Sequence, residues 1–144
     1  MSKLIITRGL PASGKSTWAK QWVLEDPEHR VRINQDDIRL MLGKYWVPSR
    51  EKLVQERQFD AIVEALSRGF NVVIDNTNLN KKVLDQFNRL IRTYEDYEIE
   101  YKAFFDTPLS VCIERDKQRD LKVTEKIIRS FFERYKDIYP LNGN

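Results

Sequence analysis

One short segment constrains the fold of this 144-residue chain more than any other. Residues 9–16 read Gly-Leu-Pro-Ala-Ser-Gly-Lys-Ser, so that four residues separate two glycines and Lys15 and Ser16 follow the second. An apolar, β-branched run at residues 3–8 precedes the segment, and an amphipathic helical pattern at residues 15–24 follows it. A glycine turn between a strand and a helix lets backbone N–H groups converge on a phosphate. The segment therefore predicts a phosphate-binding loop.

The side chains of this loop fit the chemistry of a bound nucleoside triphosphate. Lys15 is placed to bridge the β- and γ-phosphates, and Ser16 is placed to give its hydroxyl to Mg²⁺. The helix that begins at the loop adds partial positive charge at the same point. The alternative is a glycine turn without a ligand. We expect ATP or GTP, with Mg²⁺, to bind through Gly9, Ser13, Gly14, Lys15, Ser16 and Thr17.

The rest of the sequence alternates short apolar runs with helical periodicity. Further strands are predicted at residues 31–34, 70–74 and 97–105, the last with outward charges and inward aromatic side chains. Helices are predicted at residues 36–42, 50–68, 80–94 and 108–119, and Thr124 is expected to cap a final helix. This order predicts an α/β fold, with a mainly parallel sheet of about four strands flanked by helices and a helical lid. We expect one domain over residues 1–144.

An acidic pair follows the second strand, where residues 34–39 read Asn-Gln-Asp-Asp-Ile-Arg. In an open parallel sheet the carboxyl ends of the strands face the ligand crevice. Asp36 is therefore a candidate for the base that takes the proton of a phosphoryl acceptor, and Arg39 for a contact with an anionic group of that acceptor. The alternative is that Asp36 and Asp37 only cap and stabilise the helix that they open, and we expect at least Asp37 to have a structural role.

The third strand also ends in polar side chains, Asp75-Asn76-Thr77-Asn78. Asp75 has the position of an acidic group that holds Mg²⁺ through water, next to the hydroxyl of Ser16. A structural capping role for Asp75 is nearly as good an explanation.

Two arginines, Arg115 and Arg119, lie on and after the helix that follows the fourth strand. Arginines at this place can fold over the triphosphate as a lid and neutralise charge on the transferring phosphoryl group. A solvated charged helix face is the alternative.

Composition excludes several classes of function. With one cysteine, Cys112, an internal disulfide is impossible, and its apolar neighbours predict a buried side chain. The single histidine, His29, argues against a zinc site. The first residues fit neither a signal peptide nor a spanning helix, so we expect a cytoplasmic protein without membrane contact. A net charge of +3 points only weakly to an anionic partner.

Taken together, these motifs resemble the kinase domain of the phage-type polynucleotide kinase/phosphatases. The likeness covers nearly the whole chain: the phosphate loop, the Asn-x-Asp-Asp-x-Arg element, the run Thr-Asn-Leu-Asn at residues 77–80 and the two lid arginines occur in the family's order. The resemblance implies transfer of a γ-phosphate to the 5′-hydroxyl of a DNA or RNA strand. Its implied roles are Asp36 as general base, Arg39 on a phosphate of the acceptor, Thr77, Asn78 and Val123 as acceptor contacts, and Arg115 and Arg119 on the donor's phosphates, with Arg119 also assisting catalysis.

The sequence departs from that family at two points. The phage member has Ser-Asp before Thr-Asn where this chain has Asp75-Asn76, so either position could inherit the role of the carboxylate. No Asp-x-Asp-Gly-Thr segment occurs in the 144 residues. We therefore expect a single kinase domain that adds 5′-phosphates and has no 3′-phosphatase activity.

Two other functions stay open, because a fold does not choose its substrate. One is a kinase for a small metabolite, and the other is a nucleotide-binding module without catalysis. Tyr45 and Trp46 could stack on an acceptor base, although packing within the protein is the commoner role of such side chains. The oligomeric state cannot be predicted from these residues.

Overall fold

The computed structural model describes residues 1–139 and shows four strands and six helices in that part of the chain. The strands are β1 Ser2–Arg8, β2 Arg30–Ile33, β3 Asn71–Ile74 and β4 Tyr97–Ala103. The helices are α1 Lys15–Glu25, α2 Gln35–Met41, α3 Glu51–Ser67, α4 Lys81–Ile91, α5 Leu109–Lys117 and α6 Glu125–Tyr135. Short 3₁₀ turns lie at Pro48–Arg50 and Lys136–Ile138.

The four strands form one parallel sheet in the order β2-β3-β1-β4. The central strand β1 aligns Leu4 with Val72 of β3 on one side and with Ile99 of β4 on the other. This sheet, with helices packed on it, confirms the predicted α/β fold and the predicted number of strands.

Side chains of the central strands alternate between the two faces of the sheet. Leu4 and Ile6 of β1 point into the core formed with α3 and α4, whereas Ile5 packs with Ala19 of α1 on the opposite face. β3 alternates in the same way, and its Val73 joins the α1 face. Because the helices after the neighbouring strands β1 and β3 lie on opposite faces, a crevice opens between the carboxyl ends of these two strands.

A third cluster of buried side chains joins the lid helices α5 and α6 to the phosphate loop. Leu10 of the loop packs with Cys112 and Ile113 of α5 and with Ile128 of α6. Cys112 is fully buried, as the sequence predicted, and burial raises the pKa of its thiol. The lid is therefore anchored at the carboxyl end of β1.

Three local predictions need comment. Asn34 caps α2 by accepting a hydrogen bond from the backbone N–H of Asp37 at 2.8 Å, so neither aspartate is the cap, but Asp37 has the expected structural role through its bonds with Asn34 and Arg32. The side chain of Thr124 makes no capping bond to α6. In β4, Tyr101 is exposed, because β4 is an edge strand whose second half lies largely in solvent. Short polar side chains compete for the same backbone groups, which is why sequence pattern does not decide among them.

Candidate active site

The phosphate loop leads directly from β1 into α1. A Cβ atom on Gly9 would lie 2.7 Å from the hydroxyl oxygen of Ser13, and Gly14 has a φ of 107°, which disfavours any L side chain. Gly14 also precedes the helix without making a side-chain cap. Because the first N–H groups of a helix have no acceptor within it, those of α1 are left to bind an anion.

Lys15 is buried within this loop. Its ammonium donates to the carbonyl oxygens of Gly9 at 3.0 Å and Leu10, and to the hydroxyl of Ser13 at 3.3 Å. Burial lowers the pKa of Lys15 to about 8, although the carboxylate of Asp75 acts in the opposite direction. The charged lysine is thus held at the point where the sequence predicts the terminal phosphates.

Four of the predicted site residues share one electrostatic environment. The charges of Asp36, Asp75 and Arg119 each act on Lys15, the two carboxylates raising its pKa and the guanidinium lowering it. These residues come from α2, from the end of β3 and from just beyond α5. The fold therefore brings together groups that lie far apart in the sequence.

Asp36 is held by two donors that use the same carboxylate oxygen. Arg39 donates to Oδ1 at 2.6 Å, and the hydroxyl of Tyr45 donates to it at 3.1 Å. Burial, followed by the charge of Asp36, raises the pKa of Tyr45 to about 12, so the hydroxyl keeps its proton. No residue in the described range 1–139 donates to Oδ2, and the side chain of Asp36 is 47% exposed. Oδ2 can therefore accept a proton from a ligand.

Arg39 is more constrained than the sequence suggested. Besides Asp36, it contacts Glu51 of α3 through two bonds, Nε to Oε2 at 2.9 Å and a terminal nitrogen to Oε1 at 2.6 Å. These bonds to Glu51 are the main cause that raises the pKa of the guanidinium. Glu51 was missed by the sequence reasoning, because an acidic residue in the first turn of a helix is explained by the helix dipole alone.

Asp75 is buried beside Lys15. Its Oδ2 accepts a bond from Nε of Arg32 at 2.7 Å, and Arg32 also bonds Asp37 at 2.8 Å. Oδ1 is buried without a donor in residues 1–139. An acceptor oxygen without a partner fits a hydrated Mg²⁺, for which the hydroxyl of Ser16 in the phosphate loop would be the direct ligand. No group of three or more His, Cys, Asp or Glu side chains in this range could hold a metal by itself.

The polar run after Asp75 has mostly structural contacts. The Asn78 amide donates to the backbone carbonyl oxygens of Thr7 at 2.8 Å, Ile74 at 3.2 Å and Asn76 at 3.3 Å. The side chain is buried, and its Nδ2 is used within the protein, whereas Oδ1 has no donor in residues 1–139. Asn78 thus has a role in the fold, and its implied contact with an acceptor stays a prediction. The carbonyl of Thr77 accepts from the Gly9 N–H, while its side chain is half-buried.

Asn76 is also committed within the protein. Its Oδ1 accepts from the backbone N–H of Gln35 at 3.0 Å, and its Nδ2 donates to Oε1 of Gln58 at 2.7 Å. The sequence left open whether position 75 or position 76 has the role of the family's carboxylate. Asp75 is the one of the two whose charge acts on Lys15.

The two lid arginines, Arg115 and Arg119, lie near the phosphate loop. A terminal nitrogen of Arg115 would be 3.8 Å from a Cβ atom on Gly14. Arg119 lies 3.8 Å from the buried carboxylate of Asp116, and its charge lowers the pKa of both Lys15 and Tyr45. Val123 is half-buried against the lid cluster.

Tyr45 and Trp46 lie around the guanidinium of Arg39. Its carbon is 5.8 Å from the centre of the Tyr45 ring and 5.6 Å from that of Trp46. Trp46 is 54% exposed, so its ring is not a core side chain. Tyr45 has a polar task, since its hydroxyl holds Asp36.

This chain is similar to proteins with nucleic-acid kinase names. It is 29% identical over 136 residues to an L-seryl-tRNA(Sec) kinase of Methanococcus maripaludis, covering 92% of this chain and 52% of that protein. It is 26% identical over 135 residues to a protein of Autographa californica nuclear polyhedrosis virus provisionally named bifunctional polynucleotide kinase/RNA ligase, covering 83% of this chain and 18% of that protein.

A solved structure shows the same architecture. A chain of the Pnkp1/Rnl/Hen1 RNA repair complex superposes with a TM-score of 0.75 at 27% identity, covering 98% of this chain and 47% of that chain. The present chain thus spans about half or less of the length of each of these proteins.

The remaining comparison concerns the family. No helix in residues 1–139 is long and apolar enough to cross a membrane. The family described as AAA domain matches residues 4–139, which include the phosphate loop, the sheet and the lid. The chain therefore belongs to the AAA_33 family and is a P-loop kinase domain.

Proposed function

We propose that this domain transfers the γ-phosphate of ATP or GTP to the 5′-hydroxyl end of a DNA or RNA strand. The observation that carries the proposal is the carboxylate of Asp36, whose Oδ1 is fixed by Arg39 and Tyr45 while Oδ2 has no donor in residues 1–139. A base that is fixed at one oxygen and open at the other can take a proton from an acceptor hydroxyl.

In the proposed transfer, each of these groups has one role. The acceptor oxygen gives its proton to Oδ2 of Asp36 and forms a bond to the γ-phosphorus, while the bond from that phosphorus to the β-phosphate oxygen breaks. Lys15 and Arg119 stabilise the charge that spreads over the phosphate oxygens. Mg²⁺ held by Ser16 and, through water, by Asp75 would neutralise the phosphates. The Arg39 guanidinium, held by Glu51, orients Asp36 and the acceptor.

The choice of acceptor is supported by similarity and by residue pattern. The viral relative and the RNA repair complex both carry names that refer to nucleic-acid ends or repair. A second acceptor has its own support, because the archaeal relative is an L-seryl-tRNA(Sec) kinase that aligns with 92% of this chain. Both acceptors present a hydroxyl near a terminal nucleotide.

One labelling experiment separates these functions. The domain is incubated with γ-labelled ATP, Mg²⁺ and one of four acceptors, and transfer of the label is measured. The acceptors are a 5′-hydroxyl oligonucleotide, a nucleoside 3′-monophosphate, a bare nucleoside and seryl-tRNA, and the Asp36→Asn variant is the negative control. Labelling of the first two supports the proposal, and labelling of seryl-tRNA alone favours the second acceptor. ATP binding without label on any of the four would contradict both and direct the search to small metabolites.

A further inference from the structure

Arg32 of β2 contacts the carboxylate that is proposed to hold Mg²⁺ through water. It is in register with Val73 of β3, and registered residues of parallel strands project from the same face of a sheet. Asp75 lies two positions after Val73, so an extended chain returns its side chain to that face. Because Val73 packs with α1, Arg32 and Asp75 lie on the face of the helix that begins with Lys15 and Ser16.

The guanidinium of Arg32 bridges two carboxylates of unequal burial. Its Nε donates to Oδ2 of Asp75 at 2.7 Å, and a terminal nitrogen donates to Oδ2 of Asp37 at 2.8 Å. The side chain of Asp75 is 1% exposed, whereas that of Asp37 is 63% exposed. An exposed ion pair contributes little, and a buried carboxylate is costly without a partner. The bond to Asp75 is therefore the one with the larger effect.

The bond from Arg32 decides which oxygen of Asp75 is available. The two oxygens of a carboxylate are chemically equivalent, and Oδ2 is the one that accepts from Arg32. The buried Oδ1 is left without a donor in the described range 1–139. Rotation of the carboxylate would break a short, charge-assisted bond that is shielded from water. Arg32 therefore holds the carboxylate in one orientation, with one oxygen bonded and the other open.

Arg32 also gives Asp75 a counter-charge other than Lys15. The charge of Asp75 acts on Lys15, yet within residues 1–139 the ion pair of this carboxylate is with Arg32. The ammonium of Lys15 bonds the phosphate loop instead, at the carbonyl oxygens of Gly9 and Leu10. Without the arginine, the buried carboxylate would pair with the lysine. With Arg32 in place, both Lys15 and Oδ1 of Asp75 stay available for the phosphates and their metal ion.

We propose that Arg32 is a positioning residue, which holds Asp75 in the orientation that lets Oδ1 accept a hydrogen bond from a water molecule on Mg²⁺. In this assignment Arg32 touches neither the metal ion nor the phosphates and acts only through Asp75. The inference rests on the Mg²⁺ contact of Asp75 in the proposed function, and it is independent of the choice of acceptor.

The first test measures metal affinity without turnover. Mn²⁺ takes the place of Mg²⁺ in the complex of the domain with ADP, and the signal of free Mn²⁺ in electron paramagnetic resonance spectra gives its dissociation constant. We expect Arg32→Met to weaken Mn²⁺ binding by about 10-fold, the lower end of the range for residues that orient a metal site, because it acts through another side chain. Asp75→Asn should weaken Mn²⁺ binding by at least as much.

A double variant separates positioning from a general effect on the fold. In the Asp75→Asn background, Arg32→Met should weaken Mn²⁺ binding by less than about twofold, since its route of action is already removed. This background also has no buried carboxylate that the loss of Arg32 would leave unpaired, so the comparison is open even if Arg32→Met alone does not fold. An additive loss of Mn²⁺ affinity in the double variant would overturn the inference.

Arg30 provides the matched control. It lies two residues before Arg32 on β2, and its guanidinium bonds the carbonyl oxygen of Trp22 at 2.8 Å and the carboxylate of Glu25 at 3.2 Å, both in α1. Thermal melts of Arg30→Met and Arg32→Met report any loss of stability, but only Arg32→Met should change the Mn²⁺ affinity. Equal losses of Mn²⁺ affinity in the two variants would show an effect of β2 as a whole and contradict the assignment.

The same measurements distinguish the inference from the proposed function. Weakened Mn²⁺ binding in Asp75→Asn, beside unchanged binding in Arg32→Met, would reject the role of Arg32 and leave the metal contact of Asp75 intact. Unchanged Mn²⁺ binding in Asp75→Asn would instead refute that metal contact.

A second test uses the wild-type domain alone. The Nε–H proton of Arg32 is observed in proton–nitrogen NMR spectra, and its bond to a buried carboxylate should slow its exchange with water. We expect slow exchange both in the free domain and with ADP and Mg²⁺ bound. Arg68 is the comparison, since its Nε–H bonds the exposed carboxylate of Glu64 at 2.7 Å. If the Nε–H of Arg32 exchanges as fast as that of Arg68 in the loaded domain, Arg32 does not hold Asp75 in the working site.

Discussion

At the scale of single residues, Lys15 is charged in a place that disfavours charge. Burial lowers its pKa to about 8, whereas the unfolded chain keeps an ordinary lysine pKa of 10.5. Between these two values the unfolded state binds more protons than the folded state, so the free energy of unfolding increases as pH rises through this window. Below about pH 8 both states are protonated and the full cost of burying the charge is present.

This pKa makes nucleotide binding dependent on pH. Phosphate oxygens next to the ammonium should raise its pKa again, so binding of ATP at about pH 9 should take up nearly one proton, and binding at about pH 7 close to none. Calorimetry in two buffers of different ionisation enthalpy measures that number directly. Lys15→Met is the control, since it should remove the difference between the two pH values. Equal proton uptake at both pH values in the wild-type domain would contradict the prediction.

Asp36 and Asp37 are adjacent but have different tasks. Asp37 accepts bonds from Asn34 at 3.0 Å and Arg32 at 2.8 Å, and the bond from Asn34 is the main cause that lowers its pKa. A lowered carboxyl pKa stabilises the fold above the unfolded pKa, and this stabilisation is lost as pH falls through the folded value. Asp36 is also held at one oxygen, by Arg39 and Tyr45, but it is the aspartate of the pair whose charge acts on Lys15.

The two aspartates therefore form a matched pair of variants. Asp36→Asn should lower kcat by about 10²- to 10⁴-fold, the usual contribution of a general base, with the melting temperature and ATP affinity nearly unchanged. Asp37→Asn should instead lower the melting temperature slightly, with kcat within about twofold of the wild type. Single-turnover transfer and thermal melts of both variants provide the comparison. If Asp36→Asn turns over as fast as Asp37→Asn, Asp36 is not the base.

At the scale of elements, the junction between α5 and α6 depends on one buried carboxylate. Asp116 accepts from the backbone N–H of Val123 at 2.9 Å and from that of Thr124 at 2.8 Å. Thr124 has a φ of 92°, an unusual backbone conformation for a threonine, and these bonds hold it there. The lid helices are thus joined through the side chain of Asp116, eight residues before Thr124.

Removal of this carboxylate should loosen the lid. We expect Asp116→Ala to lower the free energy of unfolding by about 1–3 kcal/mol, because two backbone donors lose their acceptor. Asp120→Ala is the control, since Asp120 is exposed and has no hydrogen bond within residues 1–139. Denaturant melts of both variants measure the difference. A stability of Asp116→Ala equal to that of Asp120→Ala would show that the junction does not need the carboxylate.

The same elements show what could be predicted from the sequence. The apolar run predicted as a strand at residues 70–74 is found at Asn71–Ile74, because burial on both faces of a parallel sheet leaves a strong signal. The phosphate loop was also predictable, because its two glycines, followed by Lys15 and Ser16 between a strand and a helix, have few other uses. Thr124 lies at the N-cap position that the sequence predicted, but its side chain makes no capping bond. Its own N–H instead donates to Asp116, eight residues away, in a contact that no local pattern records.

Contacts between elements were the part that the sequence did not reveal. Arg39 was predicted as an acceptor contact, but its pairing with Glu51 joins residues 12 positions apart on two helices. Gln58 has the sequence context of one polar residue in an amphipathic helix, but its Oε1 accepts from Asn76, 18 positions further along the chain. Such pairs depend on how helices are arranged in space, and composition and period carry no record of that arrangement.

At the scale of the whole molecule, the domain consists of a sheet covered on both faces and a lid attached at one end. The lid cluster packs against Leu10 of the phosphate loop and Phe105 after β4, while α3 and α4 share a larger core with the sheet. Regions with fewer buried contacts open more readily than the core. The lid is therefore the part whose opening a ligand can suppress most.

Nucleotide binding should couple the lid to the sheet. Arg119 acts electrostatically on Lys15, and Arg115 approaches the loop at Gly14, so a triphosphate between them would connect α5 to the end of β1. With a nonhydrolysable ATP analogue and Mg²⁺, hydrogen exchange should slow most in α5 and α6 and change little in α4. Arg119→Ala should still bind the analogue but lose most of the added protection in α5 and α6. Uniform protection of all helices, or equal lid protection in Arg119→Ala, would mean that the arginine does not link the lid to the nucleotide.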